Sequence, residues 1–394
     1  MKRIFSGFLL RVFKHDLAMS IRYLTVIKPL LFILCVGIAA PLSAYQNKQA
    51  ALPVAVNNQQ SSAVILMYHH VSAATPAITS VTPERFKQHM QYLADNEFTV
   101  WPLYKTLMHL VTGRAIPPRT VILTFDDAYQ SVYDEAFPVL KERGWPFTVF
   151  VTEQYISGDY ANYMDWQQLR ELKKYGGEIG NHSLTHPHLV RKRSAETDVE
   201  WRERITNEIT QAQEILRQQV GKTIWAIAYP YGEYSKEVKK IVRDIGYFGI
   251  GQQSGAVSQL TDFLEVPRFP MATGYDDMEN FAIKVATKNL PVTVLYPEDG
   301  IVSSQTGIPL LQLRLEQGDY KKERLACYAT GQGRIQIEWP ENNNQVINVR
   351  ANEAIKPGRT KYTCTAPSAS EAEVFYWFSF LWMKLEQDGS WYRE

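Results

Sequence analysis

The chain has 394 residues, 45% hydrophobic and 21% charged, a composition that excludes disordered, collagen-like and fibrous classes and fits two folded domains plus additional segments. Formal net charge is +1, but residues 1–44 carry Lys2, Arg3, Arg11, Lys14, Arg22 and Lys28 against Asp16 alone, leaving 36 basic and 40 acidic groups beyond them. A net −4 over that remainder lacks the concentrated positive charge that nucleic acids or anionic membranes reward, and it suits a neutral substrate.

After the basic N-terminal stretch comes the apolar run 29–40, too short for the roughly 20-residue helix that spans a bilayer. With Pro41-Leu-Ser-Ala44 behind it, the pattern predicts an export signal over residues 1–44. It is either cleaved near Ala44 or kept as a signal anchor, and translation from Met19 would give a more ordinary signal of the same kind. The expected location is therefore periplasmic or secreted, with membrane contact only through an uncleaved N-terminus. Cys35 sits in this segment without the small residues of a lipoprotein box. Residues 45–62, rich in Gln, Asn, Ala and Ser, predict a flexible linker.

From Ala63 strands and helices alternate. Val64–Tyr68 predicts a buried strand; Thr82 is a good N-cap, Pro83 fits the first helical turn, and Phe86, Met90 and Leu93 recur at helical spacing. Thr120–Thr124 predicts the next strand, followed by a helix that turns Val132, Ala136, Val139 and Leu140 inward and ends at Gly144. Phe147–Val151, Glu178–Gly180 and Trp225–Ala228 predict further strands, separated by helices marked by Trp166, Leu169 and Leu172 and by Trp201, Ile205, Ile209, Ala212 and Leu216. Such alternation implies an α/β fold with a parallel sheet, closed or open, and sheets of this kind place their chemistry at strand C-terminal ends.

Polar residues fall at those ends: Asp126-Asp127 after the second strand, His182 after the Ile179 strand, and Tyr229-Pro-Tyr-Gly232 after the Trp225 strand. Taken singly, paired aspartates commonly cap helices and a lone histidine is usually structural; jointly they point to a site. His182-Ser-Leu-Thr-His186 sets two imidazoles four residues apart, and one carboxylate would complete a three-ligand set suited to zinc with a position left for water. Adjacent aspartates at a strand end point in different directions, so one can bind metal while the other acts as general base.

Through Thr124-Phe-Asp-Asp127, Asn181-His-Ser-Leu-Thr-His-Pro187 and Tyr229-Pro-Tyr-Gly232 the sequence resembles the polysaccharide deacetylase, or NodB-homology, family over residues 63–290. The resemblance implies a distorted (β/α)7 barrel and removal of N-acetyl groups from an extracytoplasmic polysaccharide. It implies Asp126 as base, Asp127, His182 and His186 as ligands of a divalent metal, most simply Zn2+, the Tyr231 backbone N–H at the oxyanion, and Ser183 tying the histidine loop. Leu66-Met-Tyr-His-His-Val71 and Tyr229-Pro-Tyr-Gly-Glu-Tyr234 are most similar to the poly-N-acetylglucosamine deacetylase branch.

Two departures from that family accompany these matches. Ala228 stands where many members have an arginine that orients the base; Arg268, in Val266-Pro-Arg-Phe-Pro270, either reaches in instead or has a surface or packing role. No histidine follows His188, so the proton donor to the leaving amine is open among His188, His69, protonated Asp126 and a water. His69 ends the first strand, where a structural role is equally expected. Tyr229, Pro230, Tyr231 and Arg268 are candidate substrate contacts, and Trp166 with the two tyrosines either lines a sugar groove or belongs to the core. The alternatives are a silent polysaccharide-binding protein and a same-family amidohydrolase acting on peptidoglycan, chitin oligomers or a non-carbohydrate amide.

Beyond Leu290 the pattern changes to alternation broken by Gly, Pro and Asn, seen in Val292–Tyr296, Leu311–Leu315, Arg334–Glu338 and Val374–Phe380. Residues 291–394 therefore predict a small immunoglobulin-like β-sandwich. Cys327 and Cys364, an exported pair in one β-rich region, predict a disulfide across two of its strands.

Overall fold

The structure is a computed structural model in which residues 61–158, 160–341 and 343–393 are described. The expected signal and nearly all of the expected linker lie outside these residues. Among the described residues, no helix is long and apolar enough to cross a membrane.

Six parallel strands form the spine: β1 Ser62–Tyr68, β2 Thr120–Phe125, β3 Phe147–Val151, β4 Gly177–Asn181, β5 Ala226–Ala228 and β6 Phe248–Ile250, hydrogen-bonded in that order. Every residue of β2 and β3 is buried, as is all of β1 beyond its first residue, so both faces of these strands are covered and their sequences read as near-continuous apolar runs. The crossover helices start where capping chemistry dictates. Thr82 accepts the Arg85 N–H at 3.1 Å with Pro83 in the first turn, and Asp165 with Gln168 and Thr197 with Glu200 form capping boxes. Strand–helix alternation thus holds through β6. The seventh strand, β7 Ala256–Ser258, runs antiparallel to β1.

The segment 266–270 then crosses from one end of the sheet to the other. Val266 bridges Ile250 at β6, while β8 Phe269–Pro270 pairs in parallel with Leu66 and Met67 of β1. Arg268 is carried between those two attachments.

The C-terminal region is a nine-stranded, mostly antiparallel sheet: β9 Lys288–Asn289, β10 Val292–Tyr296, β11 Ile301–Val302, β12 Leu310–Leu315, β13 Ala326–Ala329, β14 Gly333–Glu338, β15 Val346–Arg350, β16 Gly358–Pro367 and β17 Phe375–Lys384. β14 pairs with β13 through its first half and with β15 through its second, so it joins the two sets of strands, and β11 pairs with β17 beside that order. Cys327 and Cys364 are bonded, and they face each other directly in the register of β13 and β16, so the disulfide staples neighbours within one sheet. Leu381, Met383 and Tyr392 pack in one core with Ile205, Tyr229 and Val238, so the β-rich region and the α/β sheet share buried surface.

Candidate active site

Asp126 continues the pairing of β2 with β1, its N–H donating to the Tyr68 carbonyl at 2.9 Å. The next two residues leave the strand abruptly, Asp127 at φ 71° and Ala128 at φ 58°, a left-handed conformation that non-glycine residues adopt only when their surroundings hold them there. The turn sends the two carboxylates in different directions.

Both oxygens of Asp126 are taken by Arg268, with Nη1–Oδ1 and Nη2–Oδ2 each 2.7 Å. Arg268 is itself fully buried, its Nε donating to the Gly251 carbonyl at 2.9 Å and Nη1 to Thr124 Oγ1 at 3.1 Å. Burial pushes the Asp126 carboxyl up, but the guanidinium outweighs it and holds the group below the usual carboxylate range. This geometry corrects the assignment of Arg268 as a substrate contact. A residue with no exposed surface and a satisfied fork cannot touch substrate; it positions Asp126.

His182 directly follows β4, its N–H donating to the Val151 carbonyl at 2.9 Å, and its Nδ1 lies 2.8 Å from the Ala228 carbonyl. A carbonyl only accepts, so Nδ1 carries a proton, and when the ring is neutral Nε2 presents its lone pair to the site. A loop with Ser183 at φ 71° and His186 at φ 57° follows. Asn181 Oδ1 accepts the Ser183 N–H at 2.8 Å, Ser183 Oγ accepts the His186 N–H at 2.9 Å, and Glu208 accepts both the N–H and the hydroxyl of Thr185. His186 is thereby returned toward Asp127. Burial first, then the neighbouring His182, lowers His186 to about 4, leaving it a neutral imidazole near pH 7.

Asp127 Oδ1 lies 3.3 Å from His182 Nε2 and 3.5 Å from His186 Nε2, and ligand atoms of the three residues all fall within 4.8 Å of one another. Yet Oδ1 is buried with no hydrogen-bond partner. An uncompensated buried carboxylate oxygen facing imidazole lone pairs is costly, and a divalent cation shared by all three groups removes the cost. One carboxylate and two imidazoles also make a donor set that zinc favours, so the residues fit a metal ion.

His69 Nε2 stands 3.9 Å from Asp126 Oδ2, with its side chain 17% exposed. His188 is set further back: its Nδ1 is 2.8 Å from Glu233 Oε2, and its ring lies flat on Tyr231 with centroids 3.9 Å apart. Tyr231 occupies a left-handed turn at φ 60°, its ring also meeting His186 edge-on at 4.6 Å. Two further expectations are corrected. Tyr229 is fully buried with its hydroxyl donated to the Leu264 carbonyl at 2.8 Å, and Pro230 is buried too, so neither lines a groove. Trp166 packs against the main core of the α/β sheet. Sequence reasoning missed the buried Glu233, which gathers His188, Arg191 and the Tyr392 hydroxyl. Its only sequence signal is an acidic side chain directly after the glycine of Tyr229-Pro-Tyr-Gly232.

The model of the polysaccharide deacetylase family matches residues 113–250. A Bacillus subtilis (strain 168) protein, YxkH, is 28% identical over 197 residues, covering 50% of this chain and 66% of its own, just under two thirds. A poly-beta-1,6-N-acetyl-D-glucosamine N-deacetylase from Staphylococcus epidermidis is 26% identical, covering 60% of this chain and 89% of its own. The Escherichia coli (strain K12) protein of the same name is 24% identical but is matched over only 38% of its length. Among solved structures, the Streptococcus pyogenes deacetylase PplD in complex with acetate superposes with TM-score 0.52 at 25% identity, over 57% of this chain and 99% of that one. The strand-end carboxylates, the paired histidines and these matches agree, and the chain carries a polysaccharide deacetylase domain.

Proposed function

We propose that the protein is an exported, metal-dependent hydrolase that removes N-acetyl groups from N-acetylglucosamine residues of a polysaccharide, releasing acetate. The reading rests on one observation: Asp127, His182 and His186 converge around an unsatisfied buried oxygen, with Asp126 next in the chain and held separately by Arg268. The names of the staphylococcal and Escherichia coli relatives support poly-N-acetylglucosamine as the polymer. The Cys327–Cys364 bond supports an oxidising compartment.

Asp127, His182 and His186 would hold the ion, most simply Zn2+, which when bound supplies Lewis-acid polarisation of the acetyl carbonyl and a water of lowered pKa. Asp126, kept ionised by Arg268, accepts a proton from the attacking water as its oxygen bonds to the acetyl carbon. The Tyr231 N–H stabilises the oxyanion, a contribution of about 3 to 4 kcal/mol for one well-placed donor. As the C–N bond breaks, His69 would protonate the departing amine, since among the described residues it is the one histidine outside the ligand set within 4 Å of Asp126. His188, bound to Glu233 and stacked on Tyr231, shapes the wall instead.

The test is acetate release from oligomers of β-1,6-linked N-acetylglucosamine, chitin and peptidoglycan fragments, with and without chelator, for the wild type and Asp126→Asn. Release that both the chelator and the substitution abolish is expected. Glycan retention with no acetate from any substrate would refute the hydrolase reading and favour a binding protein.

A further inference from the structure

The turn that carries Tyr231 is held from two directions. On the side of the α/β sheet, the Tyr229 N–H donates to the Ile250 carbonyl of β6 at 2.9 Å. Two left-handed residues follow, Tyr231 at φ 60° and Gly232 at φ 70°, and a Cβ at Gly232 would fall 2.6 Å from Gln252 Cβ, a close approach that requires glycine. On the other side stand residues of the C-terminal region. Arg359 and Lys361 lie two apart on β16, hence on one face of it. Arg359 Nη1 donates to the Tyr231 carbonyl, and Lys361 Nζ to the Gln252 carbonyl at 3.0 Å. The Tyr392 hydroxyl donates to Glu233 Oε1 at 2.6 Å, an oxygen that also accepts from Arg191 at 3.1 Å.

A non-glycine residue keeps a left-handed conformation only where its surroundings over-determine it, and the C-terminal region supplies part of that determination here. Glu233 has no exposed surface and Tyr392 only 5%, so their hydrogen bond is charge-assisted and shielded from water. The other Glu233 oxygen meets His188 Nδ1 at 2.8 Å, and the His188 ring covers the Tyr231 ring at 3.9 Å. Tyr231 is therefore gripped at its carbonyl by Arg359 and at its ring through Tyr392, Glu233 and His188. The group these contacts orient is the N–H assigned to the oxyanion.

We propose that the C-terminal β-rich region is a positioning element of the active site, in which Arg359 and Tyr392 fix the turn whose Tyr231 N–H meets the oxyanion. This rests on the deacetylase reading above. Both are positioning residues, acting through the Tyr231 carbonyl and through Glu233. An oxyanion exists only in the transition state, so a loosened donor lowers kcat and leaves substrate and metal binding alone.

It is tested by steady-state acetate release from β-1,6-linked N-acetylglucosamine oligomers for the wild type, Tyr392→Phe, Arg359→Gln and Arg359→Lys, with zinc stoichiometry and thermal unfolding of each. The expected result is a kcat lowered roughly 5- to 50-fold in Tyr392→Phe and Arg359→Gln, KM within about twofold, zinc content unchanged, and partial recovery in Arg359→Lys, which keeps a donor. Arg359 is exposed, so its substitution leaves the fold intact and the test stands even if Tyr392→Phe unfolds. A wild-type kcat in the normally folded variants, or a loss carried by KM or by zinc, would overturn the positioning role. If the wild type releases no acetate, the deacetylase reading fails, and amide hydrogen exchange decides the hold on the turn separately. The Gly232 and Glu233 N–H groups donate to the Tyr229 and Pro230 carbonyls. Faster exchange of these two amides in Tyr392→Phe and Arg359→Gln supports the hold, while wild-type rates overturn it.

Discussion

Asp126 and Arg268 are both fully buried and joined by two 2.7 Å bonds, so each is the other's main compensation for lost solvation. Removing the guanidinium with Arg268→Met is expected to cost about 3 to 5 kcal/mol in chemical denaturation at pH 7, the penalty for stranding a buried charge. The pH dependence changes sign. In the wild type the depressed Asp126 carboxyl contributes stability present above the unfolded value of about 3.9 and lost as pH falls through the lower folded value. Without the arginine, burial raises the folded value above the unfolded one, so the variant is relatively most stable in acid and loses that advantage as pH rises. Unfolding midpoints at pH 4 and pH 7 distinguish the two. Asp126→Asn keeps the shape and removes the base; kcat for acetate release should fall roughly 10²- to 10⁴-fold with metal content unchanged. The aspartates and histidines were legible from motif and strand-end position, but the place of Arg268 was not. It depends on residues 266–270 spanning from β6 to β1, a long-range closure that local pattern does not encode.

The histidine loop shows how one element converts spacing into geometry. A four-residue interval alone leaves His182 and His186 free to diverge; left-handed Ser183 and His186 with three side-chain anchors from Asn181, Ser183 and Glu208 turn them to one point. Ser183→Ala deletes the acceptor for the His186 N–H, and affinity for Zn2+ in a competitive chelator titration should drop roughly 10- to 100-fold. The same scale explains what the C-terminal pattern hid. Strand β16 alternates buried Thr360, Tyr362, Cys364 and Ala366 with more open Arg359, Lys361, Thr363 and Thr365, so small and polar residues carry its inward face and blur the apolar period. The stretch Phe375–Phe380, where large side chains repeat, was legible for the opposite reason, although the strand runs on to Lys384.

Across the whole molecule the β-rich region is bound to the catalytic scaffold through side chains that no local reading reveals. Tyr392 donates its hydroxyl to Glu233 at 2.6 Å, and Arg191 bonds both Glu233 and the Tyr392 carbonyl, tying the C-terminal residues to the loop that holds His188. The disulfide constrains the same region. Its partners are 37 residues apart, and paired Cys327→Ser and Cys364→Ser substitutions should lower unfolding free energy by about 3 to 4 kcal/mol on the chain-entropy account, read from denaturant midpoints under oxidising conditions. The proposed hydrolase requires one divalent ion held by Asp127, His182 and His186. The most direct measurement is metal stoichiometry by mass spectrometry on purified wild type, Asp127→Ala, His182→Ala and His186→Ala. One divalent ion per wild-type chain, lost from each variant, is the expected result. Wild type that binds no divalent ion after reconstitution, or variants that retain it in full, would contradict the account.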